Sequence, residues 1–145
     1  MTEAITNYGV QLKRSNMAAT PVFTTLAEMT NIDAPGLENV IAEATRHVAG
    51  GGYREFIATG LKELQEFTID INYVPDNGDH DAATGLVADV VSGAVINYQL
   101  VFPDTTQWTF AAICRMFKPM GADAKSPDTL KAKVTFRPTG TVTPA

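Results

Sequence analysis

Apolar and polar residues alternate with a period of two along most of this chain. In Leu64–Val74 the residues Phe67, Ile69, Ile71 and Tyr73 fall on one side and Glu66, Thr68, Asp70 and Asn72 on the other. That is the pattern of a strand with one buried and one wet face. Thr129–Arg137 repeats it, with Leu130, Ala132, Val134 and Phe136 inward and Lys131, Lys133, Thr135 and Arg137 outward. Val22–Ile32 is less amphipathic but rich in strand formers, and Leu37–His47 follows the turn Asp33-Ala34-Pro35-Gly36. Val95–Phe102 and Gln107–Phe117 complete a set of six strands, joined to each other by the turn Pro103-Asp104-Thr105-Thr106. The period changes once: Ala83, Leu86, Val87 and Val90 form a helical stripe, acids fill the first turn and Gly93 follows, so the pattern predicts a short helix over about 79–91.

His47–Gly60 opens with Gly50-Gly51-Gly52 and ends with Tyr53-Arg54-Glu55-Phe56-Ile57, which reads as a long excursion with an aromatic end. Lys118–Asp128 reads as a surface loop, and the Thr- and Pro-rich ends, 1–20 and 138–145, as loose segments flanking a domain of residues 21–137. Strands at hairpin spacing with one helix imply a mainly β fold, an antiparallel β-sandwich or barrel with a short flanking α-helix. The 145 residues suffice for one domain, and 45% hydrophobic with 19% charged content is the balance of a folding chain. No run is long and apolar enough to cross a membrane, and Met1-Thr2-Glu3-Ala4-Ile5 lacks the basic start of a secretory signal. The single Cys114 rules out an internal disulfide, which fits a reducing compartment.

The net charge of −5 is unevenly spread: residues 64–114 hold seven acids and no Lys or Arg, while 115–137 hold six bases and two acids. If these segments fold to different faces, the subunit has two surfaces of opposite sign, which favours head-to-tail contact between copies. Tight phosphate binding needs a clustered basic patch and is disfavoured.

Catalytic constellations are absent from the pattern. Cys114 lies in the apolar run Phe110–Met116 and reads as a small buried hydrophobe. His47 borders the glycines, and His80, between Asp79 and Asp81, reads as an exposed structural residue. Asp76–Asp81 lacks the glycine and terminal glutamate positions of a calcium loop and reads as a turn and helix cap, and Gly50-Gly51-Gly52 has no Gly-Lys-Ser/Thr after it. Glu66 and Asp70, four apart on a strand, stand roughly 13 Å apart, too far for a glycosidase pair. No enzyme, cofactor or metal site follows.

The order of these pieces resembles the major tail tube proteins of long-tailed, non-contractile bacteriophages, a lambda-like siphophage family to which gene transfer agent tail tube proteins are similar. A loose arm, Phe23–Ile32, the Pro35-Gly36 turn, a strand, the long loop to Ile57 and Gly60-Leu61-Lys62-Glu63 succeed one another. The Leu64–Val74 strand, the helix, Phe102–Phe110 and the ending Leu130–Gly140 follow, so the resemblance spans nearly the whole chain. It implies a β-sandwich subunit, six-membered rings stacked into a tube, and partners that are other copies of the chain, a tape-measure protein and tail-tip or terminator proteins. DNA would pass through the lumen without specific binding, and the location would be a virion tail made in the host cytoplasm.

On that reading a conduit wall should repel phosphate. Glu66 and Asp70 are the first candidates for lumen-facing residues, with Glu28 and Glu43 second. Tyr53, Arg54, Phe56 and Ile57 in the long loop are candidates for contact between rings or subunits, and Lys131, Lys133 and Arg137 for meeting acids of a neighbouring copy. Two other readings remain: a ligand-binding β-barrel with Phe67, Tyr73, Tyr98, Trp108 and Phe110 around a cavity, and a tail-terminating or capsid-decorating protein.

Overall fold

A computed structural model describes residues 4–5, 8–45, 50–120 and 129–144. His47 and most of the 118–128 loop lie outside the described residues. Seven strands form one antiparallel sheet: β1 (Gln11–Ser15), β2 (Phe23–Thr25), β3 (Met29–Asp33), β6 (Phe67–Asn72), β7 (Val95–Val101), β8 (Gln107–Met120) and β9 (Lys131–Pro144). A separate two-stranded sheet pairs β4 (Leu37–Glu43) with β5 (Phe56–Leu64), and one helix, α1 (Leu86–Ser92), packs on β8. The mainly β, antiparallel expectation holds.

The large sheet runs β2-β1-β7-β8-β9-β6-β3, so its two edges, β2 and β3, are consecutive in the chain. Laid flat, seven strands would separate those edges by about 29 Å. The four residues from Thr25 to Met29 reach at most about 14 Å. The sheet must therefore curl into a barrel-like shell. Its inside is filled: Phe67 stacks on Phe136 at 5.1 Å, and Tyr98 meets Phe136 edge-on at 4.9 Å. Phe67, Tyr98, Phe110 and Phe136 are all buried in one cluster with Leu12, Ile69, Ile71 and Val134. Aromatics read as possible cavity lining thus fill the core, while Tyr73 and Trp108 pack at its margin.

Several boundaries differ from the pattern. Val22–Ile32 is not one strand: Leu26 turns into the core and Glu28 has φ 61, so β2 and β3 separate to opposite edges. Leu64–Val74 is likewise interrupted at Gln65-Glu66. Two segments expected to be loose carry strands, β1 within the first 20 residues and β9 through to Pro144, because their backbones are taken up by β7 and β8. The helix starts later than the stripe predicts. Asp81 instead accepts hydrogen bonds from the N–H groups of Ala83, Thr84 and Gly85, bonds that hold its carboxyl below the usual range. Gly85 closes on that turn, where a Cβ would stand 2.5 Å from the amide nitrogens of His80 and Asp81.

Candidate assembly interface

Among the described strands, those of the β4–β5 hairpin are exposed along nearly their whole length. The hairpin's register continues that of β3–β6: Asp33 faces Thr68, Leu37 faces Leu64, and Gln65 N–H donates to the Gly36 carbonyl across the junction. One ribbon therefore starts in the barrel and carries on as the two-stranded extension. The pattern missed β5, because Ala58-Thr59-Gly60-Leu61-Lys62-Glu63 has no strict alternation. Pairing with β4, rather than burial, defines this strand.

Both faces of the extension carry apolar side chains. Ile41 faces Ala58 and Glu43 faces Phe56 on one side, and Ala42 faces Ile57 on the other. Ile41, Phe56 and Ile57 are each more than half exposed, Leu61 is 65% exposed and Tyr53, just before β5, is 79% exposed. A two-stranded hairpin is marginal in water without a sheet or helix to pack on. Exposed apolar surface of this kind marks an interaction site. Tyr53, Arg54, Phe56 and Ile57 are thus brought together on one projection, with Arg54 4.0 Å from Glu43.

The remaining predicted residues are dispersed. Asp70 sits on the polar face of β6, and Glu28 lies near it, its carboxylate 3.4 Å from the Asn72 amide nitrogen. Glu66 is bound by Arg115 through two contacts of 2.9 and 2.8 Å. Glu43 is on the hairpin, away from the other three acids. Lys131 and Lys133 share the polar face of β9 and stand opposite Asn72 and Asp70. Arg137 reaches Glu63 of its own chain at 3.5 Å. β6 and β9 are neighbours, and among the described residues one ion pair, Arg115–Glu66, joins the acidic and basic segments inside one copy.

Two polar clusters inside the fold hold this arrangement. His80 is fully buried, not exposed. Its Nδ1 accepts the Val74 N–H at 3.2 Å, which makes Nε2 the protonated nitrogen, and Nε2 donates to the Ala27 carbonyl at 2.9 Å. Asp79 takes the Ala27 N–H at 2.9 Å. Together they clamp the link between the two edge strands, a role that no local signal in the sequence discloses. The second cluster is Arg14 on β1, which donates from Nε and Nη2 to both carboxylate oxygens of Asp89 on α1, at 2.8 and 2.6 Å. Asp89 hydrogen bonding is the main cause that raises the Arg14 guanidinium above its usual value.

Tyr98 and Cys114 lie beside this pair. Burial, then the Asp89 charge, raises the Tyr98 hydroxyl well above its ordinary 10.0 and pushes the Cys114 thiol from 9.0 up to about 12. Both groups keep their protons in the folded state at pH values where the unfolded chain releases them. The Cys114 contribution is complete below pH 9.0 and is lost as pH rises through about 12, while that of Tyr98 begins to be lost only above 10.0. Calorimetry should therefore show the melting temperature falling between about pH 9 and about pH 11, and a disulfide reagent should label Cys114 only as fast as the chain unfolds.

Among the described residues no group of three His, Cys, Asp or Glu side chains is arranged to hold a metal ion, and no helix is long and apolar enough to cross a membrane.

No family model and no curated protein matches the sequence. Solved structures match the fold. A chain in the tail of an empty gene transfer agent particle, refined helically with C6 symmetry, aligns with TM-score 0.78 and 13% identity over 98% of this chain and 99% of that one. A chain of the native gene transfer agent virion aligns with TM-score 0.75 and 14% identity, over 98% and 99%. A chain of the sheath/tube terminator of an extracellular contractile injection system, in its extended state, aligns with TM-score 0.66 and 14% identity, over 100% and 99%. The fold is thus one found in tails of phage-like particles. It does not separate non-contractile from contractile systems, and so is broader than the siphophage resemblance in the sequence.

Proposed function

We propose that this chain is a structural subunit of a phage-like tail that polymerises as stacked six-membered rings into a tube, a conduit for DNA in the virion tail. The observation that carries this reading is the β4–β5 extension, whose two faces expose apolar side chains that no described residue of the same copy covers. The fold likeness to chains in tail particles, one of them refined with C6 symmetry, supports it. An extension that leaves one end of a subunit and packs on the next is a heterologous contact, and such contacts close into rings or grow filaments. Of the four candidate acids, Glu28 is exposed and makes no ion pair among the described residues, and it is the one we assign first to the lumen wall, where negative charge keeps DNA moving; Asp70 has one carboxylate oxygen buried without a hydrogen-bond partner among the described residues and comes second. Tape-measure and terminator proteins would set the length of the tube and close it.

Negative-stain electron microscopy with light scattering across a concentration series tests this. Hollow tubes with a six-fold cross-section are the expected result. Single closed rings that never stack would favour a terminator, a reading supported by the likeness to the sheath/tube terminator chain. A monomer at every concentration, alone and with tail-tip extract added, would overturn both.

A further inference from the structure

Two pairs of like charges face each other directly across strand ladders of this subunit. Glu38 of β4 stands opposite Glu63 of β5, and Lys118 of β8 stands opposite Lys133 of β9. Cross-strand like charges destabilise an isolated sheet, so each pair needs counter-charge. Each is only partly supplied within the copy. Glu63 has Arg137 at 3.5 Å and Glu38 has the Gln65 amide at 3.0 Å. Asp70 lies across the ladder from Lys133, yet among the described residues neither lysine has a carboxylate within ion-pair distance.

Among the described residues the topology supplies no further compensation. Lys118 lies on β8 beyond Ile113, the last residue that β7 pairs, and Glu38 lies on the outer strand of the hairpin. Both therefore occupy edges where no described strand of the same copy brings an opposite charge. The two pairs are also held apart. Glu63 is tied to Arg137, four residues along β9 from Lys133, a separation of roughly 13 Å.

Resting on the tube reading, we propose that the Lys118–Lys133 pair of one copy receives the Glu38–Glu63 pair of a neighbouring copy. The partner is a second copy of this chain because the two surfaces are opposite in sign and match in number and in their spacing across a ladder, and because the same hairpin presents Leu61, two residues before Glu63, for burial beside its acids. Met116 and Met120 flank Lys118 on the β8 side of the receiving surface and offer it apolar contact. The contact sets register between copies, as matched charge at an interface does.

A charge swap on the full-length protein tests this, using the two residues that lie on these edges and make no ion pair among the described residues. Lys118→Glu and Glu38→Lys should each raise the critical concentration for assembly at least tenfold, with unchanged circular dichroism and a melting temperature no lower than wild type, since each swap relieves a like-charge pair across its own ladder. The double variant should return to within about threefold of wild type, since the reversed charges again face each other. If wild type forms tubes and either single variant assembles as well as wild type, or the double variant is worse than both singles, this contact is wrong and the tube reading stands. If wild type itself never assembles, the tube reading fails and takes the contact with it.

Discussion

Replacing Asp89 by alanine should lower the free energy of unfolding by about 3–4 kcal/mol, measured by urea denaturation. The carboxylate is nearly buried, with a side-chain exposure of 6%, and Arg14 is only 21% exposed. Removing the acid leaves a guanidinium in a low-dielectric setting with none of its former acceptors. The Tyr98 hydroxyl, which has no hydrogen-bond partner among the described residues, lies beside the same charge. Replacing Arg14 and Asp89 together by leucine should cost far less than the single change, because the penalty comes from the orphaned charge rather than from loss of net attraction. If the single variant loses under 1 kcal/mol, α1 is not held to the sheet by this pair. Gly93, at φ 67, ends the helix and donates its N–H to the Asp89 carbonyl, a backbone bond that both variants retain.

The strands of the barrel were legible where both neighbours and burial were regular. β6 and β7 alternate strictly and β9 does so over its first half except at Thr135, which is buried rather than outward, and Phe67, Ile69, Ile71, Ala132, Val134 and Phe136 are in the core as the period requires. Legibility failed where pairing rather than burial makes the strand. β1 buries Leu12 and Ser15, three apart with two bases between them, and β5 is exposed over eight of its nine residues, so neither has a period-two buried face for the pattern to mark. It failed again for long-range polar partners. Arg14 and Asp89 are 75 residues apart, and His80 and Ala27 are 53 apart, distances at which no local spacing carries information. The candidate contact residues fared unevenly for the same reason. Tyr53, Arg54, Phe56 and Ile57 are contiguous and stay together, whereas Arg137 and Glu66 find partners within the chain that only the sheet order brings near. Lys118 was missed because its significance comes from standing opposite Lys133, a fact of register.

Replacing Phe56, Ile57 and Leu61 together by serine should abolish assembly, raising the critical concentration more than a hundredfold while leaving the melting temperature within a few degrees of wild type. The dissociation follows from area. Each of these side chains contributes about 1.5–3 kcal/mol when it moves from water into a packed interface, and a factor of one hundred needs only about 2.7 kcal/mol. The indifference of the monomer follows from exposure: all three are more than half exposed in the free subunit, so their loss removes little from its core. Substitution of Phe136, which is fully buried, is the contrast, because it should unfold the subunit and abolish assembly together. Sedimentation velocity on the triple variant separates the alternatives. A folded monomer that sediments as one species at concentrations where wild type forms tubes places the interface on the hairpin. Tubes at wild-type concentration would mean that the extension is a solvent-exposed appendage and that the subunits meet elsewhere on the barrel.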